Sequence, residues 1–259
     1  MSHTQTYLQK SRELIEIVSA QEDNIAKAAD WFAKTILADR MVHVFGSGHS
    51  HMMTEEMWPR YGSFPGFNPI VELSLSFHNL VVGCNGQRQA MFLENASGLA
   101  EQILRNFELT EQDTALVISS SGCNRVPIEM AELFQKNGIK VVALISQLHS
   151  DASTTKDTRG LKLSDFADLI LDTGAPIGDA MIKIEGLDTP VSPGSTLGGC
   201  LVVNSIKAEV AQRLIDAGKP PKVLTAGALI GAERADEIFQ AAYDEHGRRL
   251  SRYYATLGE

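Results

Sequence analysis

The run Thr114 to Ile118 is apolar and ends directly in Ser119-Ser120-Ser121-Gly122. No other stretch of the 259 residues limits the possible folds as sharply. Such a run reads as a buried strand, and a strand that turns at once into a helix exposes that helix's first unpaired N–H groups above its own end. Gly122 permits the tight turn, and each of the three serines brings a rotatable O–H donor. The helix adds partial positive charge at its start. Pro127 pre-sets a helical φ, Ile128, Ala131, Leu133 and Phe134 recur at helical spacing, and Gly138 stands where a helix C-terminal glycine is expected. A strand, a Ser/Gly turn and a helix in succession suit an anion, above all a phosphate.

A second unit of this kind lies upstream. Met41 to Phe45, with His43 inside it, ends in Gly46-Ser47-Gly48-His49-Ser50-His51 before another predicted helix. Neither turn contains the Gly-Lys-Ser/Thr of a Walker loop. A dinucleotide fingerprint would need a third glycine where His51 stands, although Glu72 lies at about the spacing of a ribose-binding acid.

Strand and helix signals alternate along the rest of the chain. Two helices are predicted before residue 40, with stripes at Leu8, Leu14, Ile15 and Val18, then at Ile25, Ala28, Ala29, Phe32, Ile36 and Leu37. The Gly- and Pro-punctuated stretch 61–69 reads as a loop, Pro69 to Leu73 as a short strand, and residues 91–106 as a helix. Lys140 to Ile145 and Leu169 to Leu171 are further strands, followed by a long ordered loop near the ligand end over 172–197 and a helix over 198–217. Val223 to Thr225 reads as an edge strand and Ala232 to Leu257 as a last helix. This order predicts an α/β chain with a parallel, doubly wound sheet and ligands at the carboxyl ends of its strands. The expected divisions are an N-terminal helical pair over 1–38, the main domain over 39–218, and a C-terminal extension with a helix over 219–259.

A net charge of −9 argues against nucleic acid or an anionic membrane as partner, and leaves a phosphorylated metabolite open. Cys84, Cys123 and Cys200 are odd in number and widely spaced, which suits reduced thiols. Cys123 beside the Ser/Gly turn has no partner base in sequence and reads as a small residue at a helix start. With no apolar leader or membrane-length stretch, a cytoplasmic location is expected.

Val44-Phe45-Gly46-Ser47-Gly48-His49-Ser50, Ile118-Ser119-Ser120-Ser121-Gly122-Cys123-Asn124 and Val141-Val142-Ala143-Leu144-Ile145-Ser146 together resemble the sugar isomerase (SIS) domain, over roughly residues 30–217. Gly178-Asp179 and Ser195-Thr196 extend the resemblance to stand-alone, uncharacterised bacterial members. The resemblance implies a three-layer, flavodoxin-like sandwich around a five-stranded parallel sheet, a homodimer or homotetramer, and a phosphosugar ligand. Ser119 and Ser121 match the family's phosphate-binding serines, with Asn124 where many members have threonine. Ser47 and Ser50 match the loop that contacts sugar hydroxyls. The implied binding set is Gly46, Ser47, Gly48, His49, Ser50, Ser119, Ser120, Ser121, Gly122, Asn124 and Ser195.

For chemistry, aldose–ketose isomerisation through an enediolate needs a base that moves a proton between C1 and C2. Glu55, Glu56 and His51 are the candidates, His51 and Glu55 being an i, i+4 pair on one helical face. The phosphoheptose isomerase branch has a similar Ser-His loop before a Glu-Glu helix and uses a histidine and a glutamate there with zinc. Its later metal-binding histidine has no counterpart in the 198–217 helix, so neither metal nor cofactor is assigned. A solvated helix face explains Glu55 and Glu56 as well. His78 and Glu185 are weaker candidates, Glu94 and Glu209 read as solvated helix residues, Asp179 as a loop-orienting group, and Ser195 and Thr196 as helix caps. A phosphosugar sensor without catalysis and a phosphosugar lyase or etherase are the alternatives to an isomerase.

Overall fold

A computed structural model describes residues 2–76 and 83–254; His78, and the predicted last helix beyond residue 254, lie outside the described residues. The N-terminal helices are α1 (His3–Ser19) and α2 (Glu22–Leu37), followed by β1 (Val42–Gly46), α3 (His51–Met57), β2 (Phe67–Ile70) and the short α4 (Leu73–Ser76). Then come α5 (Gly86–Leu93), α6 (Leu99–Leu104), β3 (Thr114–Ile118), α7 (Arg125–Lys136), β4 (Lys140–Ile145), α8 (Gln147–Ala152) and β5 (Leu169–Asp172). The chain closes with β6 (Ala180–Ile182), β7 (Val191–Pro193), α9 (Ser195–Asp216), α10 (Gly227–Ile230) and α11 (Ala232–Ser251).

β1 to β5 form one parallel sheet in the order β2-β1-β3-β4-β5. The apolar runs divide by parity, because successive side chains of a strand point to opposite faces. Val44, Leu116, Ile118, Val142 and Leu144 pack under α2, α3 and α9 with Phe32, Met57, Val203 and Ile206. Phe45, Ala115, Val117, Val141 and Ala143 pack on the other face with Val126, Ile128 and Phe134 of α7 and Ile103 of α6. Both faces are therefore dry, and the sheet presents its strand ends to solvent.

Several elements differ from the sequence expectation. β2 starts two residues before Pro69, which an edge strand accommodates because proline lacks only a ladder donor. The predicted 91–106 helix is two helices, broken between Leu93 and Leu99, with Gly98 at φ +81°. The 172–197 stretch contains the antiparallel hairpin β6–β7. Residues 223–225 form no strand; instead Leu224 exchanges backbone hydrogen bonds with Gly62 and Ser63, at 2.8 and 2.9 Å.

Both ends of the chain are pinned to this frame. The Gln21 side chain donates to the carbonyl of Asp172 at 2.9 Å and accepts its N–H at 2.7 Å, tying the helical pair to the end of β5. Arg249, buried, donates to the carbonyls of Ile36 and Arg40 at 3.0 Å each, a cation at the negative end of α2. Tyr253 donates to Asp113 and accepts the N–H of Met41, both at 2.7 Å, at the amino ends of β1 and β3. Among the described residues no helix is long and apolar enough to cross a membrane.

Candidate functional site

A cleft of about 520 Å³ opens at the carboxyl ends of β1 and β3. In a 2-1-3-4-5 sheet the connections diverge there, leaving a crevice that no crossover helix fills.

The first wall is the loop after β1. A Cβ on Gly46 would stand 2.5 Å from the Ser50 carbonyl oxygen, so only glycine lets the loop curl back over the strand end. Ser50 N–H closes the turn on the Ser47 carbonyl at 3.0 Å, and Ser47, Gly48, His49 and Ser50 border the cleft.

The second wall is the turn after β3. Gly122 sits at φ +62°, and its N–H donates to Ser119, with Oγ at 3.2 Å. Cys123 N–H donates to Ser121 Oγ at 3.2 Å. Both hydroxyls thus accept from the backbone, which leaves their own protons for an incoming oxygen. Ser120 Oγ is buried with no hydrogen-bond partner among the described residues. The helix end contributes less than expected: Arg125 N–H donates to Asn95 Oδ1 at 3.3 Å and Val126 N–H to the Glu94 carbonyl at 2.9 Å. The end of α5 therefore caps the start of α7.

That cap also aims Glu94. Its carboxyl accepts from Ser47 Oγ at one oxygen and from Asn124 Nδ2 at 2.6 Å at the other, joining the two loops through one acid. Burial pushes the Glu94 carboxyl above the ordinary glutamate range, against the opposing pull of those two hydrogen bonds.

The third wall comes from beyond β4. His149 of α8 accepts the Gly178 N–H at Nδ1, at 3.2 Å. Asp179, at φ +60°, accepts from the N–H groups of Gly194 and Ser195 at 3.0 and 2.7 Å and from Ser195 Oγ at 2.6 Å, which fixes the start of α9. The expected loop-orienting role of Asp179 describes these bonds.

Of the residues singled out from sequence, Ser47, Gly48, His49, Ser50, Ser119, Ser120, Ser121, Asn124 and Ser195 line the cleft, with Gly46 and Gly122 behind them as turn formers. His51, Glu55 and Glu56 are not among the lining residues. His51 Nδ1 is bonded to the Gly48 carbonyl, and its Nε2 lies 3.9 Å from a Glu55 carboxylate whose side chain is 62% exposed. Glu56, turned about 100° further round the helix, packs toward α9, where Lys207 Nζ lies 3.5 Å away, and bonds Arg60 at 2.7 Å. Burial opposes its ionisation, yet Arg60, Asn204 and Lys207 hold its carboxyl below the usual range. Glu185 is exposed in the β6–β7 connection. Cys123 is buried, and burial pushes its thiol up. Among the described residues no three His, Cys, Asp or Glu side chains gather as metal ligands.

Sequence reading took Glu94 for a solvated helix residue and did not single out His149. The Asn95-Ala96-Ser97-Gly98 cluster is a breaker signal that marks the end of α5 just after Glu94. His149 lies four residues past β4, in a strand-end turn with no glycine to mark it.

A doubly wound domain with two hydroxyl-bearing turns at its switch point is the architecture of a phosphate-binding α/β module. Residues 6–146 match the SIS domain, and the chain belongs to that family. Its similarity extends over nearly its full length to the UPF0309 protein of Listeria innocua serovar 6a, 32% identical over 239 residues, covering 92% of this chain and 93% of the relative. The UPF0309 protein of Brucella anthropi is 37% identical over 226 residues, covering 87% and 89%. Among solved structures, a phosphoheptose isomerase from Francisella tularensis superposes with a TM-score of 0.52 at 17% identity, covering 81% of this chain and 96% of that one. The Vibrio vulnificus NanR protein complexed with ManNAc-6P does so with a TM-score of 0.50 at 14% identity, covering 93% and 67%. At these identities the likeness to both structures is one of fold.

Proposed function

We propose that the cleft binds a sugar phosphate, and that Glu94 moves the proton of an aldose–ketose isomerisation. The carrying observation is the convergence of both loops on one half-buried carboxyl, Ser47 from the first and Asn124 from the second. The phosphate is assigned to the Ser119 and Ser121 hydroxyls, whose oxygens accept backbone bonds and so keep their protons for donation. Neutral donors of this kind hold an anion without a lysine or arginine, and the cleft lining contains neither among the described residues. Membership of the SIS family supports a sugar phosphate as the ligand class.

In this proposal Glu94 takes the role that the sequence suggested for Glu55 or Glu56. Ionised, it removes the proton from C2 of the bound aldose and returns it to C1 through an enediolate, while the hydroxyl proton of O2 passes to O1, so that the C1 aldehyde becomes an alcohol and C2 a ketone. A carboxyl raised by burial is a stronger base once ionised, and its value moves toward the pH at which it must cycle. Ser50 and His49 stand on the neighbouring loop as contacts for the sugar oxygens.

A thermal-shift panel of hexose, hexosamine and heptose phosphates against their unphosphorylated forms tests binding. Only the phosphorylated members should raise the melting temperature. Incorporation of solvent deuterium at C2 of a bound aldose, or at C1 of a bound ketose, then tests the chemistry. Binding without exchange across the panel would refute the isomerase and leave a ligand sensor.

A further inference from the structure

The wall built from α8 and the 176–179 turn contains a donor that the proposed chemistry has not used. Ser146, fully buried, donates through Oγ to the Ala175 carbonyl at 2.6 Å and accepts the His149 N–H at 3.3 Å, which locks the backbone of α8 to the loop after β5. The His149 ring is then oriented by Gly178, whose N–H donates to Nδ1. A backbone N–H can only donate, so Nδ1 must present its lone pair and the neutral ring carries its proton on Nε2. Gly178 holds φ +79° within a turn closed by Asp179 N–H on the Pro176 carbonyl at 2.9 Å. The neighbouring acid, Asp179, is occupied by three donors from the start of α9. Of the cleft-lining side chains on this wall, His149 is therefore the one whose ring N–H lies outside this network of bonds.

We propose that His149 is a ligand-binding residue that donates its Nε2–H to an oxygen of the bound sugar phosphate, with the Gly178 N–H selecting the tautomer. The assignment rests on a sugar phosphate occupying the cleft. It extends the site across a third strand end, so that the ligand is held from β1, β3 and β4 together.

Two near-isosteric variants separate a ligand contact from a structural role. In His149→Asn the amide oxygen can replace Nδ1 toward Gly178, while the distal donor is lost. In His149→Gln the amide nitrogen can replace Nε2, while the acceptor for Gly178 is lost. Both are titrated calorimetrically with whichever phosphosugar of the panel (N-acetylmannosamine 6-phosphate, glucosamine 6-phosphate, fructose 6-phosphate, sedoheptulose 7-phosphate) binds the unaltered protein, with melting temperatures confirming that each is folded. Loss of one hydrogen bond to a charged or strongly polar oxygen predicts roughly 10- to 100-fold weaker binding for His149→Asn. His149→Gln should stay within about threefold of the unaltered protein. Binding by His149→Asn at the original affinity, or equal weakening in both variants, would overturn the assignment and leave a purely structural histidine. If the unaltered protein binds no member of the panel, the phosphosugar reading falls, and the role of His149 with it.

Discussion

Replacing Glu94 by glutamine separates chemistry from stability, because the amide keeps both hydrogen bonds that hold the carboxyl. Its oxygen accepts from Asn124 Nδ2, and its nitrogen donates to Ser47 Oγ, whose hydroxyl can act as acceptor. E94Q should therefore lie within about 1 kcal/mol of the parent in stability, or about 2–4 °C in melting temperature for a chain of this size. Glu94→Ala leaves the Asn124 amide and the Ser47 hydroxyl without their acceptor, at about 1–3 kcal/mol for each group that water does not reach. The proton transfer responds differently. Removing a general base lowers the rate by about 10²- to 10⁴-fold, or about 3–5 kcal/mol of barrier at 1.36 kcal/mol per decade. The assay is NMR detection of deuterium at C2 of a bound aldose or C1 of a bound ketose, with affinity measured in parallel and expected within about threefold of the parent. An E94Q protein that exchanges at the parent rate would refute the role of Glu94. The pH dependence follows from the same burial. Since the folded carboxyl titrates above its unfolded value, the base form fills only above the ordinary glutamate range, and exchange should climb with pH along that limb. For stability the sign is opposite: the Glu94 contribution is complete below the unfolded pKa and is lost as pH rises through the folded one. E94Q should remove that loss.

Ser119→Ala and Ser121→Ala should each weaken phosphosugar binding roughly tenfold or more by calorimetry, with little effect on unphosphorylated sugars; an unchanged affinity would place the phosphate elsewhere. Asp113 is fully buried, and although burial opposes its charge, the His43 ring with Nε2 at 3.4 Å and hydrogen bonds from Arg40 hold it down to about 2. Its contribution, roughly 2 kcal/mol, is present above the unfolded carboxylate value and should be lost as pH falls from about 4 toward 2. Asp113→Asn should flatten that part of the acid unfolding curve. A Cβ on Gly198 would overlap the Thr173 carbonyl oxygen, so Gly198→Ala should destabilise by about 3 kcal/mol in urea unfolding, and an unchanged midpoint would refute the close approach.

How far the fold is legible from sequence varies with the reach of the signal. Thr114–Ile118 and Lys140–Ile145 have the same limits in sequence and structure, because each is an apolar run bounded by turn residues. The start of β2 is not legible, since Pro69 reads as loop chemistry until an edge position makes its missing donor harmless. The serines of both turns are legible for the same local reason: they follow strand ends, and all strand ends of a parallel sheet face one side. The acid is not. Glu55 and Glu56 lie next to the loop in sequence, yet one faces solvent and the other packs toward α9. Glu94 meets Ser47 across 47 residues and Asn124 across 30.

By itself, then, the sequence determined the strand–helix alternation, the dry faces of the sheet and the two hydroxyl-bearing turns. All of these are encoded within a few residues, by periodicity, glycine and hydroxyl placement. Tertiary structure alone brought Glu94 into the cleft and set His149 there beside the His49 that the sequence had marked. A side chain's direction there depends on where a helix stops and on what its end caps, and the caps that aim Glu94 and His149 are made by distant segments, α7 for one and the 176–179 turn for the other.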